Sequence, residues 1–509
     1  MRDAKSKRWL RGLAPLTLLA VVATGCSGGE AGESASSVGS GSGAASALAG
    51  ATDQTNSVRF SVQPDDQGRS LLDAIGRATT SVAISVYEID APQINQALVD
   101  AVGRGVNVRL VLNGQWWGGS STKYAYDLKS VLDTAAAAPG AGTVEVNWSS
   151  NNFQITHQKT VVIDALGKDG GVLAPADLPA TAVAMVLTGN LNAYGYQSYK
   201  PASTCPDPCN FWSARDFYMA VTDSDLIAEI ARVFASDFAC DGPTVTNGLR
   251  NSTNALTWSN GSTGVASGDP ADQYPADGQY PYFTPNPAQP LPDGPDPGPG
   301  TDQGNVRSRM LAVVNGATES LDVYNEEMSD QQTINAIAAA AQRLEPGKVR
   351  MVMTGAVNGQ DSYATAYNQL QAAGVVVHLF PTADNVLYIH AKAIVADGKN
   401  AYVGSTNISS PSMNFNRELG LAFKDQPDVL APVVATFEVD FNNPVAVPWT
   451  QQAVVSGAPS AAAEEQPNAP AVMQAPQGSN TVPMPCGPVT LPSPWPPVSP
   501  TPTPTPTTS

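Results

Sequence analysis

Histidine is nearly missing from this chain, with three in 509 residues, which argues against a metal centre built from several imidazoles. Cations are also sparse: 27 Lys and Arg stand against 45 Asp and Glu, for a net charge of −18. Broad binding to a nucleic-acid backbone needs many such cations, so that class is set aside, although one small basic pocket is compatible with the count. No apolar run has the length of a comfortable bilayer span. Neither a collagen-like repeat nor a coiled-coil heptad pattern is found.

What is present points to several parts. The length suggests two or more domains, and 42% hydrophobic residues suffice for sizeable cores. Gly (44) and Pro (42) are abundant, as expected where ordered domains alternate with long irregular segments.

Residues 1–26 read as an export signal. Arg2, Lys5, Lys7, Arg8 and Arg11 precede the short apolar run Leu13–Ala23, and Ala23-Thr-Gly-Cys26 follows. The surroundings of Cys26 resemble a bacterial lipobox, which implies cleavage before Cys26 and lipidation of its thiol; ordinary secretion is the alternative. Either way the chain is expected outside the cytoplasm, as a cell-envelope lipoprotein or a secreted protein. Cys205, Cys209, Cys240 and Cys486 are then an even set suited to disulfides, with three connectivities open. Residues 27–55 read as a Gly/Ser/Ala-rich flexible tether, and 446–509 as a Pro/Ala/Thr-rich disordered tail.

Between these ends the pattern runs twice. Leu71, Leu72 and Ile75 mark a helix, Ser81–Tyr87 a strand, Ile94, Leu98 and Val102 a second helix, and Gly105–Leu112 a second strand. The same order returns in Met310–Val314, Ser320–Tyr324, Ile334 with Ile337, and Val349–Met353. Two related α/β domains are expected, 56–245 and 281–445, joined by a linker over 246–280 with no Lys or Arg between Arg250 and Arg307.

Each half carries one His-x-Lys-x-x-x-x-Asp string: His157, Lys159 and Asp164, then His390, Lys392 and Asp397. A random histidine meets this pattern on the order of one time in a thousand, so two matches among three histidines are not chance. The β-branched run after each lysine reads as a strand, which puts His and Lys at i and i+2 on one face. An imidazole beside an ammonium suits a phosphate, since the ring nitrogen can attack phosphorus while the cation neutralises its oxygens. Asp164 and Asp397 fall on the opposite face and are expected to brace the strand ends. A Gly-x-x-Asn turn follows in each half, Gly189–Asn192 and Gly404–Asn407 with Ser405, offering polar groups to phosphate oxygens. Arg215-Asp216 and Arg417-Glu418 then place a carboxylate before an apolar run, suited to fixing an imidazole tautomer. His378 is assigned no role. Trp116-Trp117 and the cluster Tyr194, Tyr196, Tyr199, Phe211 and Trp212 are either loop packing or the border of an apolar, lipid-binding pocket.

These strings resemble the duplicated HKD motif of the phospholipase D superfamily, over roughly residues 56–445. The resemblance implies two α/β domains related by a pseudo-twofold axis, with one shared active site at their interface and no metal or cofactor. It implies that His157 attacks phosphorus to give a phosphohistidine and that His390 protonates the leaving alcohol and then activates water. Lys159, Lys392, Asn192, Asn407 and Ser405 would hold the phosphate, and Asp216 and Glu418 would orient the histidines. The leading expectation is a monomeric phosphodiesterase of phospholipase D type, hydrolysing or transphosphatidylating a phospholipid. The alternatives are an HKD-type nuclease, a cardiolipin-synthase-like phosphatidyltransferase, and a non-catalytic envelope binding protein.

Overall fold

A computed structural model of the chain describes residues 58–113, 122–149, 155–196, 213–239, 278–284, 306–356, 361–383, 386–414 and 416–450. The export signal with Cys26, the tether, most of the linker and most of the tail lie outside these residues. So do Cys205, Cys209, Cys240, Cys486, Trp116, Trp117, Tyr199, Phe211 and Trp212.

The first half runs β1 (Val58–Gln63), α1 (Arg69–Arg77), β2 (Ser81–Val86), α2 (Pro92–Gly103), β3 (Asn107–Leu112), α3 (Thr122–Ala136), β4 (Val144–Trp148), β5 (Lys159–Ile163), β6 (Val183–Leu187), β7 (Ala214–Val221) and α4 (Ser224–Ala239). The second runs β8 (Gly278–Thr284), α5 (Val306–Gly316), β9 (Leu321–Tyr324), α6 (Gln331–Arg343), β10 (Val349–Gly355), α7 (Ala364–Ala372), β11 (Val376–Pro381), β12 (Tyr388–Ile389), β13 (Ala393–Ala396), β14 (Asn400–Gly404), α8 (Ser410–Asn414), β15 (Glu418–Lys424), α9 (Pro427–Phe441) and β16 (Val447–Pro448).

The first sheet has the order β1-β7-β6-β5-β2-β3-β4 and the second β8-β15-β14-β13-β9-β10-β11-β16. Strand for strand the two orders correspond, so the sequence repeat is a repeat of topology. Both are mixed sheets: β2 pairs parallel with β3 and antiparallel with β5, as β9 does with β10 and β13.

Both faces of each sheet are covered, which is why the central strands β2, β5 and β9 are buried along their whole length. In β2, Val82, Ile84 and Val86 pack under α1, α2 and α3, while Ala83 turns to the opposite side. Met310, Val314, Ile334 and Ile337 of α5 and α6 cover Leu321, Val323 and Met351 in the same way. A third core joins the halves: Val162, Val186 and Phe217 from one sheet meet Tyr324, Val403 and Leu421 from the other, with apolar residues of α4 and α9 added. Phe217 and Tyr324 meet edge to face at 5.6 Å across this junction.

Two chain crossings fix the junction. β12 leaves the second half to pair in parallel with β7, Tyr388 opposite Ala214 and Ile389 opposite Arg215. Thr156 makes the matching parallel bridge to Arg417. Arg215 then grips Asp440 of α9 with Nε at 2.8 Å and Nη2 at 3.0 Å. Arg417 grips Asp237 of α4 with Nε at 3.0 Å and Nη2 at 2.9 Å. Both pairs are two-pronged and buried, so neither partner is replaceable by water. Asp237→Ala takes the carboxylate from the buried Arg417 guanidinium, and urea unfolding should show a loss of about 3–5 kcal/mol. A loss below about 1 kcal/mol would mean that water replaces the carboxylate without penalty.

Candidate functional site

The crossings decide what each histidine meets. His157 N–H donates to Arg417 O at 2.9 Å and His390 N–H to Arg215 O at 3.2 Å, so each histidine lies beside the acid-bearing strand of the other half. His157 Nδ1 is 2.8 and 3.0 Å from the two Glu418 oxygens. His390 Nδ1 is 2.9 and 3.2 Å from those of Asp216. The histidine and its carboxylate thus come from different domains, and the site exists only at their interface. Each lysine folds back in the same way: Lys159 Nζ and Lys392 Nζ donate at 2.6 Å to the carbonyl of the histidine two residues earlier. All four side chains are buried.

The carboxylates are themselves held. Thr188 Oγ1 donates to Asp216 at 2.7 Å and Ser405 Oγ to Glu418 at 2.5 Å, while each hydroxyl accepts a backbone N–H, from Phe217 and Leu419. Ser405, expected from sequence to meet a phosphate, gives its hydroxyl to Glu418. The same correspondence moves the turn. Leu191 bridges Ile89 where Ile408 bridges Met328, which makes Leu187–Asn190, not Gly189–Asn192, the counterpart of Gly404–Asn407. Gly189 has no room for a Cβ, which would overlap the Asp216 carboxylate. Asn192 is buried close by and donates to Glu88 at 2.6 Å, but the structural partner of Asn407 is Asn190.

Asp164 and Asp397 tie the ends of β5 and β13 to the segments that lead into β2 and β9. Both have left-handed backbone, φ 53° and 55°. They accept N–H bonds from Thr79, Thr80 and Ser81, and from Thr318, Glu319 and Ser320. His378 lies apart from these pairs, stacked on Phe441 at 4.0 Å with Nδ1 2.7 Å from the Phe441 carbonyl. Tyr196 is buried with its hydroxyl 3.0 Å from that of Tyr218.

Two acids escaped the sequence reading. Glu88 lies two residues past β2 and receives Asn192 and Asn190. Glu326 lies two past β9, with Oε2 2.9 Å from Lys392 Nζ, 3.3 Å from His390 Nε2 and 3.4 Å from Asn407 Nδ2. Their signal was an acid two residues past a buried strand in each repeat, at the strand end where sheet proteins present functional groups.

The electrostatics separate the halves. Burial, reinforced by the lysine charges and only partly opposed by Glu418, brings His157 down to about 4. It is therefore neutral at pH 7, with Nδ1–H given to Glu418 and a free lone pair at Nε2. Burial and the Lys392 charge bring Lys159 down to about 7. Among the described residues no cluster of His, Cys, Asp and Glu is arranged to hold a metal ion.

Two histidine–carboxylate pairs with two lysines, doubled across two like domains, define a phospholipase D-type protein. Residues 71–197 and 310–443 match the family described as cardiolipin synthase, PLD-like domain, and the chain belongs to that family. Cardiolipin synthase 1 of Bacillus anthracis is 24% identical over 159 residues, and that of Bacillus cereus 26% over 159. Each alignment covers 30% of this chain and 29% of the relative, so the chain matches under a third of their length. The solved phosphatidylserine synthase of Haemophilus influenzae Rd KW20 is similar with a TM-score of 0.52 at 13% identity, over 78% of this chain and 88% of that one, a likeness of fold alone.

With only three histidines, imidazole titration by NMR is direct. The His157 ring should stay neutral until the pH falls to about 4. A midpoint near the ordinary value of about 6.5 would contradict the burial argument.

Proposed function

We propose that this chain is a phosphatidyltransferase of phospholipase D type, acting through a phosphohistidine. The observation that carries the reading is the crossed pairing of His157 with Glu418 and His390 with Asp216. His157 Nε2 attacks the phosphorus of a phospholipid, the P–N bond forms, and the P–O bond to the head group breaks. The departing oxygen takes a proton from His390, and the charged ring of the phosphohistidine is balanced by Glu418. An acceptor alcohol then gives its proton to His390 and attacks phosphorus, and the P–N bond breaks to release His157. Lys159, Lys392, Asn190 and Asn407 hold the phosphate oxygens.

Hydrolysis or transphosphatidylation of a phospholipid is the leading expectation from sequence. The family description and the synthases among the relatives favour the alternative, a cardiolipin-synthase-like phosphatidyltransferase with an alcohol as acceptor. Deep burial of both histidines supports it, because a site closed to bulk water favours an acceptor held by the protein. Export and attachment through Cys26 belong to the same proposal and put the site beside its lipid. No described helix is long and apolar enough to cross a membrane.

The test is purified protein with phosphatidylglycerol vesicles, EDTA and glycerol or ethanol. The expected products are a diphosphatidyl lipid or phosphatidylethanol, with His157→Ala slower by about four orders of magnitude. Phosphatidate alone would return the reading to a hydrolase, and no lipid product would sink the lipid assignment.

The pH dependence carries a sign. The reaction needs His157 neutral and Lys159 charged, so kcat/KM should fall as the pH drops through about 4 and again as it rises through about 7. A profile flat to pH 9 would remove Lys159 from phosphate binding.

A further inference from the structure

The two halves repeat in fold but differ at a position beside the reacting groups. The paired bridges, Ile89 to Leu191 and Met328 to Ile408, make Tyr87 and Glu326 counterparts. Tyr87 sets an aromatic edge against the His157 ring, at 5.4 Å, and lies under Lys159 Nζ at 5.9 Å. Glu326 instead brings an anion. Its Oε2 is within reach of Lys392 Nζ and Asn407 Nδ2, which the proposed function gives to phosphate oxygens, and of His390 Nε2, which it gives to the departing oxygen. Its Oε1 is held separately, by Tyr388 OH at 2.7 Å. The side chain is 22% exposed while His390 and Lys392 are 5% and 0%, so the carboxylate lies on the open side of the pair.

We propose that Glu326 is a specificity-determining residue: its Oε2 keeps the place of a phosphate oxygen in the empty site, and its charge selects phosphodiester monoanions over phosphomonoester dianions. This rests on the reading of the site as a phosphate site. A phosphate oxygen takes over Lys392, His390 and Asn407, and Glu326 turns aside on its Tyr388 contact without leaving the neighbourhood. Burial alone opposes its charge, yet the His390 and Lys392 charges and the Lys392 and Tyr388 hydrogen bonds outweigh that and hold it well below the usual carboxylate range. The arriving phosphate therefore always meets an anion. A diester brings one negative charge and a monoester close to two at pH 7, so the repulsion falls more heavily on the monoester. Phosphatidate, inorganic phosphate and other monoesters are thereby refused, and a phosphatidate formed by stray hydrolysis is expelled.

The experiment is calorimetric binding of inorganic phosphate and of glycerophosphoglycerol at pH 7 to the full chain, for wild type, Glu326→Gln and Glu326→Asp. In Glu326→Gln, phosphate should bind about ten- to a hundredfold tighter, and the diester should gain less. Glu326→Asp keeps the charge but withdraws it by one methylene, so it should also gain severalfold for both ligands. Equal phosphate affinity in wild type and Glu326→Gln would overturn the proposal, and so would equal gains for both ligands. A Glu326→Asp protein indistinguishable from wild type would overturn the place-keeping. Lipid transfer by a wild type whose phosphate affinity is unmoved in Glu326→Gln would overturn this inference alone. Failure of all three proteins to bind either ligand would overturn the phosphate site with it.

Discussion

The site depends on two short main-chain pairings that cross between the halves. One hydrogen-bonded register, His390 N–H on Arg215 O, puts an imidazole beside Asp216, and its counterpart, His157 N–H on Arg417 O, puts the other beside Glu418. No side-chain attraction in water would hold an imidazole at such a place, since an exposed pair of this kind is worth little. A backbone register costs no further ordering once the sheets have formed, and it positions the ring before any ligand arrives.

The same two strands also fasten the domains. Adjacent residues of a strand point to opposite faces, so Arg215 and Asp216 serve two purposes from consecutive positions, as do Arg417 and Glu418. The arginine reaches the helix of the other half, and the acid reaches the histidine of the other half. Holding the interface and orienting the imidazole are consequently one structural event. Neither domain by itself has a complete histidine–carboxylate pair, so a single chain with two copies completes what one copy leaves open.

Much of this was legible in the sequence, and the limits have physical causes. The i, i+2 spacing placed His and Lys together because strand geometry is local, and Arg-Asp and Arg-Glu before apolar runs marked the braces for the same reason. Which brace serves which histidine was not legible: His157 and Glu418 are 261 positions apart, and only the crossing joins them. The first turn was misaligned by two because Gly189-Asn-Leu-Asn192 offers two asparagines, and the register of β6 against its neighbours selects the earlier one. Ser405 looked like a phosphate ligand since a hydroxyl beside glycine usually is exposed. Here Ser405 sits one residue past β14 with its hydroxyl on Glu418. Glu88 and Glu326 were passed over because they lie outside the repeated string, at the ends of β2 and β9.

A duplicated scaffold gives two like histidines, whereas transfer through a covalent intermediate needs two unlike ones. The scaffold supplies little difference, since a brace, a lysine contact and a hydroxyl support recur on both sides. The difference enters through what surrounds the rings. His157 has an aromatic edge and one carboxylate, and burial keeps it neutral with its Nε2 lone pair available. His390 has a carboxylate at each ring nitrogen, Asp216 at Nδ1 and Glu326 at Nε2. Tyr87 against Glu326 is thus a divergence between the repeats that gives the two histidines unlike surroundings.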